Sequence, residues 1–161
     1  MNPETPREVF LPGEPESVSR ARGEVREWLG EDHPAYENAR LVVSELVTNA
    51  VRHARHGVTG CAPVPPLVLR LAAHGDLLRV EVADAGLSAE DPRVRSAPIV
   101  FLAEGGRGLA IVSALSGGNW GCRSHDPEPG RTVWCEIPAT PSSSEDVVPD
   151  ALRGAGLRIF G

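Results

Sequence analysis

Apolar residues recur at helical spacing in three stretches of the chain and alternate with polar ones in several others, and this change of period predicts the order of its elements. Residues 7–11 read as a short opening strand closed by Pro12 and Gly13. Val18, Ala21, Val25, Trp28 and Leu29 then line one side of a first helix that Gly30 stops. A second, longer helix covers about residues 35–56, because neither Gly nor Pro interrupts it and Gly57 follows. LVLRLAAHG and LLRVEVADAG predict an antiparallel hairpin that turns at His74, Gly75 and Asp76. Residues 87–106 have no clear period, and an irregular connection of that length inside a compact domain predicts a functional segment. RGLAIVSALSG follows as a third helix, with Leu109, Ile111, Val112 and Leu115 as its apolar positions. NWGCRS and RTVWCEIP form a last hairpin about DPEPG, ended by Pro138. Beyond a single domain of residues 1–138, the Ser, Pro and acidic residues of 139–161 predict a flexible tail.

The long helix carries a polar stripe that its apolar side does not need. At 100° per residue, Asn49, Arg52 and His53 fall within roughly 80° of Glu45, while Val43, Leu46, Val47, Ala50, Val51 and Ala54 occupy the opposite arc. A carboxylate and a carboxamide one turn apart, beside so much apolar surface, suggest a ligand.

Composition narrows the ligand's class. A formal net charge of -6 over 161 residues argues against a nucleic-acid backbone as main partner, since phosphate chains are held by concentrated basic fields. No apolar run is long enough to span a bilayer, and MNPETPREVF lacks the features of a signal peptide, so the reading is cytoplasmic, with no membrane contact. Three cysteines without zinc-type spacing fit reduced thiols, although Cys122 and Cys135 lie nearly symmetrically about DPEPG.

Four local signals then combine. Glu45 and Asn49 share a helix face; Asp84-Ala85-Gly86 puts a carboxylate at a strand end before a residue without a β-carbon. Gly105-Gly106-Arg107-Gly108 leads into a helix, whose free N–H groups and positive dipole end suit phosphate. Gly130-Arg131-Thr132 enters the final strand. An amide oxygen such as that of Asn49 can bind Mg²⁺ beside phosphate oxygens, and Glu45 could accept a proton from a hydroxyl or water attacking a terminal phosphate.

The order E-x-x-x-N-A-x-x-H, D-x-G, G-R-G-L, G-x-T resembles the GHKL, or Bergerat-fold, ATP-binding family. VSELVTNAVRHA and GRGLAIV further resemble the anti-sigma-factor serine kinases and related stand-alone regulators of actinobacteria. The resemblance implies an α/β two-layer sandwich, a mixed and mostly antiparallel sheet with helices on one face, and ATP held between the long helix and a lid. It implies Glu45 as catalytic base, Asn49 as Mg²⁺ ligand, and Asp84 as acceptor from the adenine N6 amino group. Gly86 would allow close backbone approach there, with Thr132 assisting through hydroxyl or water. Gly106, Arg107 and Gly108 would close over the phosphates, with Leu109 beside them; His53, near the helix end, reads as a favourable group at the helix C-terminus or a nucleotide contact near phosphate rather than a zinc ligand. Ser88 departs from the pattern, since a second glycine often stands at that place.

The function so implied is a serine/threonine protein kinase that phosphorylates an antagonist protein and binds a sigma factor, and the resemblance also implies a homodimer. The alternative is an ATP-dependent protein-binding module without significant kinase activity. A two-component histidine kinase fits less well, because only one helix precedes that of Glu45 and it contains no histidine to accept phosphate.

Overall fold

The computed structural model describes residues 3–55, 64–85, 107–128 and 130–141. Strand β1 (Arg7–Leu11) is followed by helices α1 (Ser17–Leu29) and α2 (Tyr36–Arg55), then by strands β2 (Leu67–His74) and β3 (Leu77–Asp84). Helix α3 (Arg107–Ser116) precedes the final strands β4 (Trp120–Ser124) and β5 (Arg131–Pro138). Every element expected from the period is present. Gly30, at φ 84°, ends α1 by donating its N–H to the Arg26 carbonyl at 2.9 Å, a conformation that a side chain would disfavour.

The strands form one sheet in the order β1-β2-β3-β5-β4, and all four pairings are antiparallel. The parallel pairing that a mixed sheet would need does not occur among the described strands. Strand alternation assigns two faces. Leu67, Leu69 and Leu71 of β2, Leu78, Val80 and Val82 of β3, and Val133, Cys135 and Ile137 of β5 are buried, and they share one core with α1 and α2. Val43, Leu46, Val47, Ala50, Val51 and Ala54 supply the core side of α2, as its apolar arc predicts. Burial at this scale is the main term favouring the fold.

The other sheet face carries a polar ladder. Arg79 donates to Glu81 and to Glu136, each at 2.7 Å, and its guanidinium lies 4.5 Å from the centre of the Trp134 ring. On the ring's other side is Gly121, where a β-carbon would come within 2.9 Å of Trp134. The Arg79 hydrogen bond holds the Glu136 carboxyl below its ordinary value near 4.5; partial burial opposes this and Asn119 reinforces it. A carboxylate with a lowered folded-state pKa favours the folded protein above the ordinary carboxyl range and loses that contribution as pH falls through the lowered value. Arg79→Ala is therefore expected to destabilise modestly at pH 7 and to flatten the fall of Tm with acid below about pH 4.5. Thermal unfolding between pH 7 and pH 3 checks this, and identical slopes in both proteins would exclude the pair.

Cys122 pairs with Val133 and Cys135 with Trp120, so the two cysteines are offset along the hairpin and both thiols are free. Cys135 is buried, and burial pushes its thiol up to about 11, whereas Cys122 is exposed. Arg22 of α1 donates to the Ser44 hydroxyl of α2 at 2.7 Å and so braces the two helices. No described helix is long and apolar enough to cross a membrane. Pro138 closes β5 as expected, and residues 142–161 of the tail lie outside the described residues.

Candidate functional site

Glu45, Asn49 and His53 follow one another at four-residue spacing, and each step of four advances about 40° round the helix. The stripe therefore turns from solvent toward the sheet as α2 proceeds. Glu45 and Asn49 are half-buried, Arg52 is exposed, and His53 is buried. His53 Nδ1 lies 2.9 Å from Asp84 Oδ2, at the end of β3. One ring nitrogen of His53 is thus engaged by a buried carboxylate.

Asp84 reaches that position by strand alternation. Leu78, Val80 and Val82 face the helices, and Asp84 continues their row as its one charged member, 2 % exposed. Its Oδ1 is buried without a hydrogen-bond partner among the described residues. A buried acceptor left unpaired is costly, and it marks where a donor from outside the described residues would be received. Asn49 shows the same feature at Nδ2, which is also buried without a partner. Asp84 and Asn49, unlinked in the sequence, are joined through the face of α2.

Arg131, which the sequence reading did not assign, belongs to this cluster. Register pairs Asp84 with Arg131 and Ser124 with Arg131, so these three residues stand in one cross-strand row on the helix face. Arg131 Nε is 3.9 Å from Asp84 Oδ2, and Nε and Nη2 are buried with no hydrogen-bond partner among the described residues. Burial lowers the guanidinium below its ordinary value, and the neighbouring Cys122 and Asp84 act in the opposite direction. Gly130 makes the approach of β5 possible. Its φ is +100°, and a β-carbon there would overlap the Asp84 carbonyl oxygen and lie 2.7 Å from the Ala85 carbonyl carbon.

The same register places Thr132. It pairs with Ala83 rather than Asp84, so its side chain points to the opposite face, where its hydroxyl lies 2.8 Å from His125 Nε2. There Phe10, Val68, Ala83, Thr132 and Arg123 form a cross-strand row lining an open cleft of about 530 Å³. Asp84 and Ala85 line the same cleft. Alternation of Arg131, Val133, Cys135 and Ile137 was the signal that could have placed Thr132.

At the other end of the stripe, Gly108 in the first turn of α3 lies against Glu45. A β-carbon at Gly108 would overlap Glu45 Oε2 and come within 3.3 Å of Cδ. The positive end of a helix dipole thus stands beside a carboxylate. Gly108→Ala is expected to leave Tm nearly unchanged, since alanine favours a helix, while displacing the flexible Glu45 carboxylate. If that carboxylate moves a proton, phosphoryl transfer should fall by up to about 10²-fold. Transfer equal to wild type in a folded Gly108→Ala protein would separate this contact from the chemistry. Leu109 is half-buried against the core. Gly86, Ser88 and Gly106, and the side chain of Arg107, lie outside the described residues, as does the irregular connection.

No three His, Cys, Asp or Glu side chains converge on a metal position among the described residues. A cation that takes few protein ligands and completes its shell with water or ligand oxygens, as Mg²⁺ does, would need little more from the chain than one amide oxygen, and the half-buried Asn49 carries one on this face.

A family model described as the histidine kinase-like ATPase domain matches residues 11–133. The serine-protein kinase RsbW of Bacillus pumilus is 33% identical over 119 residues, covering 67% of this chain and 72% of that protein. The serine-protein kinase RsbW of Oceanobacillus iheyensis is 28% identical over 119 residues, covering 67% and 73%. A crystal structure of the RsbU and RsbW domains of a Mycobacterium tuberculosis protein matches 86% of this chain with a TM-score of 0.56. At 24% identity, and with 35% of that longer chain covered, this likeness speaks for the fold.

Proposed function

Because this chain belongs to the histidine kinase-like ATPase family, we propose that it is an ATP-binding serine/threonine protein kinase that phosphorylates an antagonist protein and binds a sigma factor. One observation carries the proposal. On one face of α2, the buried and unpaired Asn49 Nδ2 stands between Glu45, set beneath the start of α3, and His53, which holds Asp84, whose Oδ1 is also buried without a partner among the described residues. Such a row is costly in a protein that binds nothing and is relieved by a ligand with donors at one end and phosphate oxygens at the other.

In this reading, Asp84 Oδ1 accepts from the adenine N6 amino group, and His53 holds Oδ2. Asn49 offers its amide oxygen to Mg²⁺, which when bound neutralises charge on the phosphates. The first turn of α3, where Gly108 stands, faces the phosphate end, while Gly106 and the Arg107 side chain, expected to close over the phosphates, lie outside the described residues. Glu45 takes the proton from the acceptor hydroxyl as its oxygen bonds to the γ-phosphorus. The bond from that phosphorus to the bridging oxygen breaks and ADP leaves. The two RsbW relatives, named as serine-protein kinases, support the choice of acceptor.

Titration with Mg-ATP in a calorimeter, followed by incubation with labelled ATP and candidate antagonist proteins, tests the reading. Heat of binding and label on a serine or threonine are expected. Binding without labelled product would leave a nucleotide-dependent binding module, and no heat at all would remove the site.

A further inference from the structure

We propose that Arg131 is a second base-reading residue, donating to a ring nitrogen of adenine while Asp84 accepts from the N6 amino group. This rests on the ATP-binding reading above and adds a residue to it. Asp84 Oδ1 and Arg131 Nε and Nη2 are the orphaned atoms of one cross-strand row, an acceptor beside donors. Adenine presents the complementary set, because its exocyclic amino donor is flanked by ring nitrogens that accept. Guanine presents an oxygen and, on one side, an N–H, which would leave the carboxylate facing an acceptor.

A guanidinium 8% exposed, with two nitrogens unpaired, needs a partner that the described chain does not supply. Asp84 balances its charge from 3.9 Å, too far for a hydrogen bond, and Oδ2 is already engaged by His53. Thr132 cannot substitute, since its side chain faces the other side of the sheet. Ser124, the remaining polar member of the row, is exposed. Two independent features therefore converge: the placement of Arg131 on the face of Asp84 and the lack of a partner for its nitrogens.

The test uses the full chain with Mg-ATP, Mg-1-deaza-ATP and Mg-7-deaza-ATP in calorimetric titrations. The wild-type protein is expected to bind one of the deaza compounds about 10- to 100-fold more weakly than ATP, the range for a hydrogen bond from a charged donor. In Arg131→Ala that difference should shrink to within about 2-fold, with ATP itself weakened to a similar extent. Arg131→Lys, which keeps a charged donor, should restore part of it. A structural role alone would weaken all three compounds equally and leave their ratio as in wild type, which would overturn the proposal. Equal wild-type affinity for all three overturns it without any variant. Failure of the wild-type protein to bind ATP at all would instead overturn the ATP-binding reading.

Discussion

Glu45→Ala is expected to lower phosphoryl transfer by about 10²–10⁴-fold while leaving the Kd for Mg-ATP nearly unchanged. Glu45 is half-buried, lies against Gly108 at the start of α3, and stands one helical turn from Asn49. A carboxylate in that position gains nothing from the negatively charged phosphates in the ground state. Its value arises only when a hydroxyl loses its proton, so its removal should act on kcat and not on binding. Glu45→Gln separates charge from shape: it keeps the packing under α3 and should be as inactive as the alanine variant. Single-turnover transfer to the antagonist protein, measured beside calorimetric Kd values, decides this. Turnover equal to wild type in either variant would remove Glu45 from the mechanism, and the Gly108→Ala experiment would then lose its rationale as well.

Selection of ATP over GTP is expected to be the second large effect, up to about 10⁴-fold, and to depend on Asp84. The carboxylate is 2 % exposed, with one oxygen engaged by His53 and the other unpaired. A guanine oxygen presented to that unpaired acceptor would leave two acceptors facing each other at a buried carboxylate. Asp84→Asn should weaken ATP binding and narrow its advantage over GTP. It also leaves the buried Arg131 without its nearest negative charge, and an uncompensated buried guanidinium lowers stability. Tm and the nucleotide preference must therefore be measured together. A folded Asp84→Asn protein with the wild-type ratio of ATP to GTP affinity would show that the carboxylate does not read the base.

Both predictions depend on how α2 is placed. The polar stripe was legible in its period, and so was the apolar arc that buries Val43 and Leu46. Less legible was the consequence of the 40° advance per four residues. It leaves Glu45 half-buried beside α3 and turns His53 under, onto the sheet. Arg131 and Thr132 were distinguishable by alternation along RTVWCEIP, yet the G-x-T wording drew the assignment to the threonine. The chain's own register, in which Gly130 lets β5 start against the Asp84 carbonyl, puts the arginine on the face of Asp84 and the threonine on the other.

Period, turn residues and caps by themselves determined the elements and their order, because hydrophobic spacing and glycine stops act over a few residues. They also determined which face of α2 is apolar, since that needs only the geometry of one helix. Contacts between residues far apart in the chain belonged to the tertiary structure alone. His53 meets Asp84 across 31 positions, and Gly108 meets Glu45 only because α3 packs back on α2. Such contacts depend on strand register and helix docking, which arise from the packing of the whole core and leave no local trace in the residues they bring together.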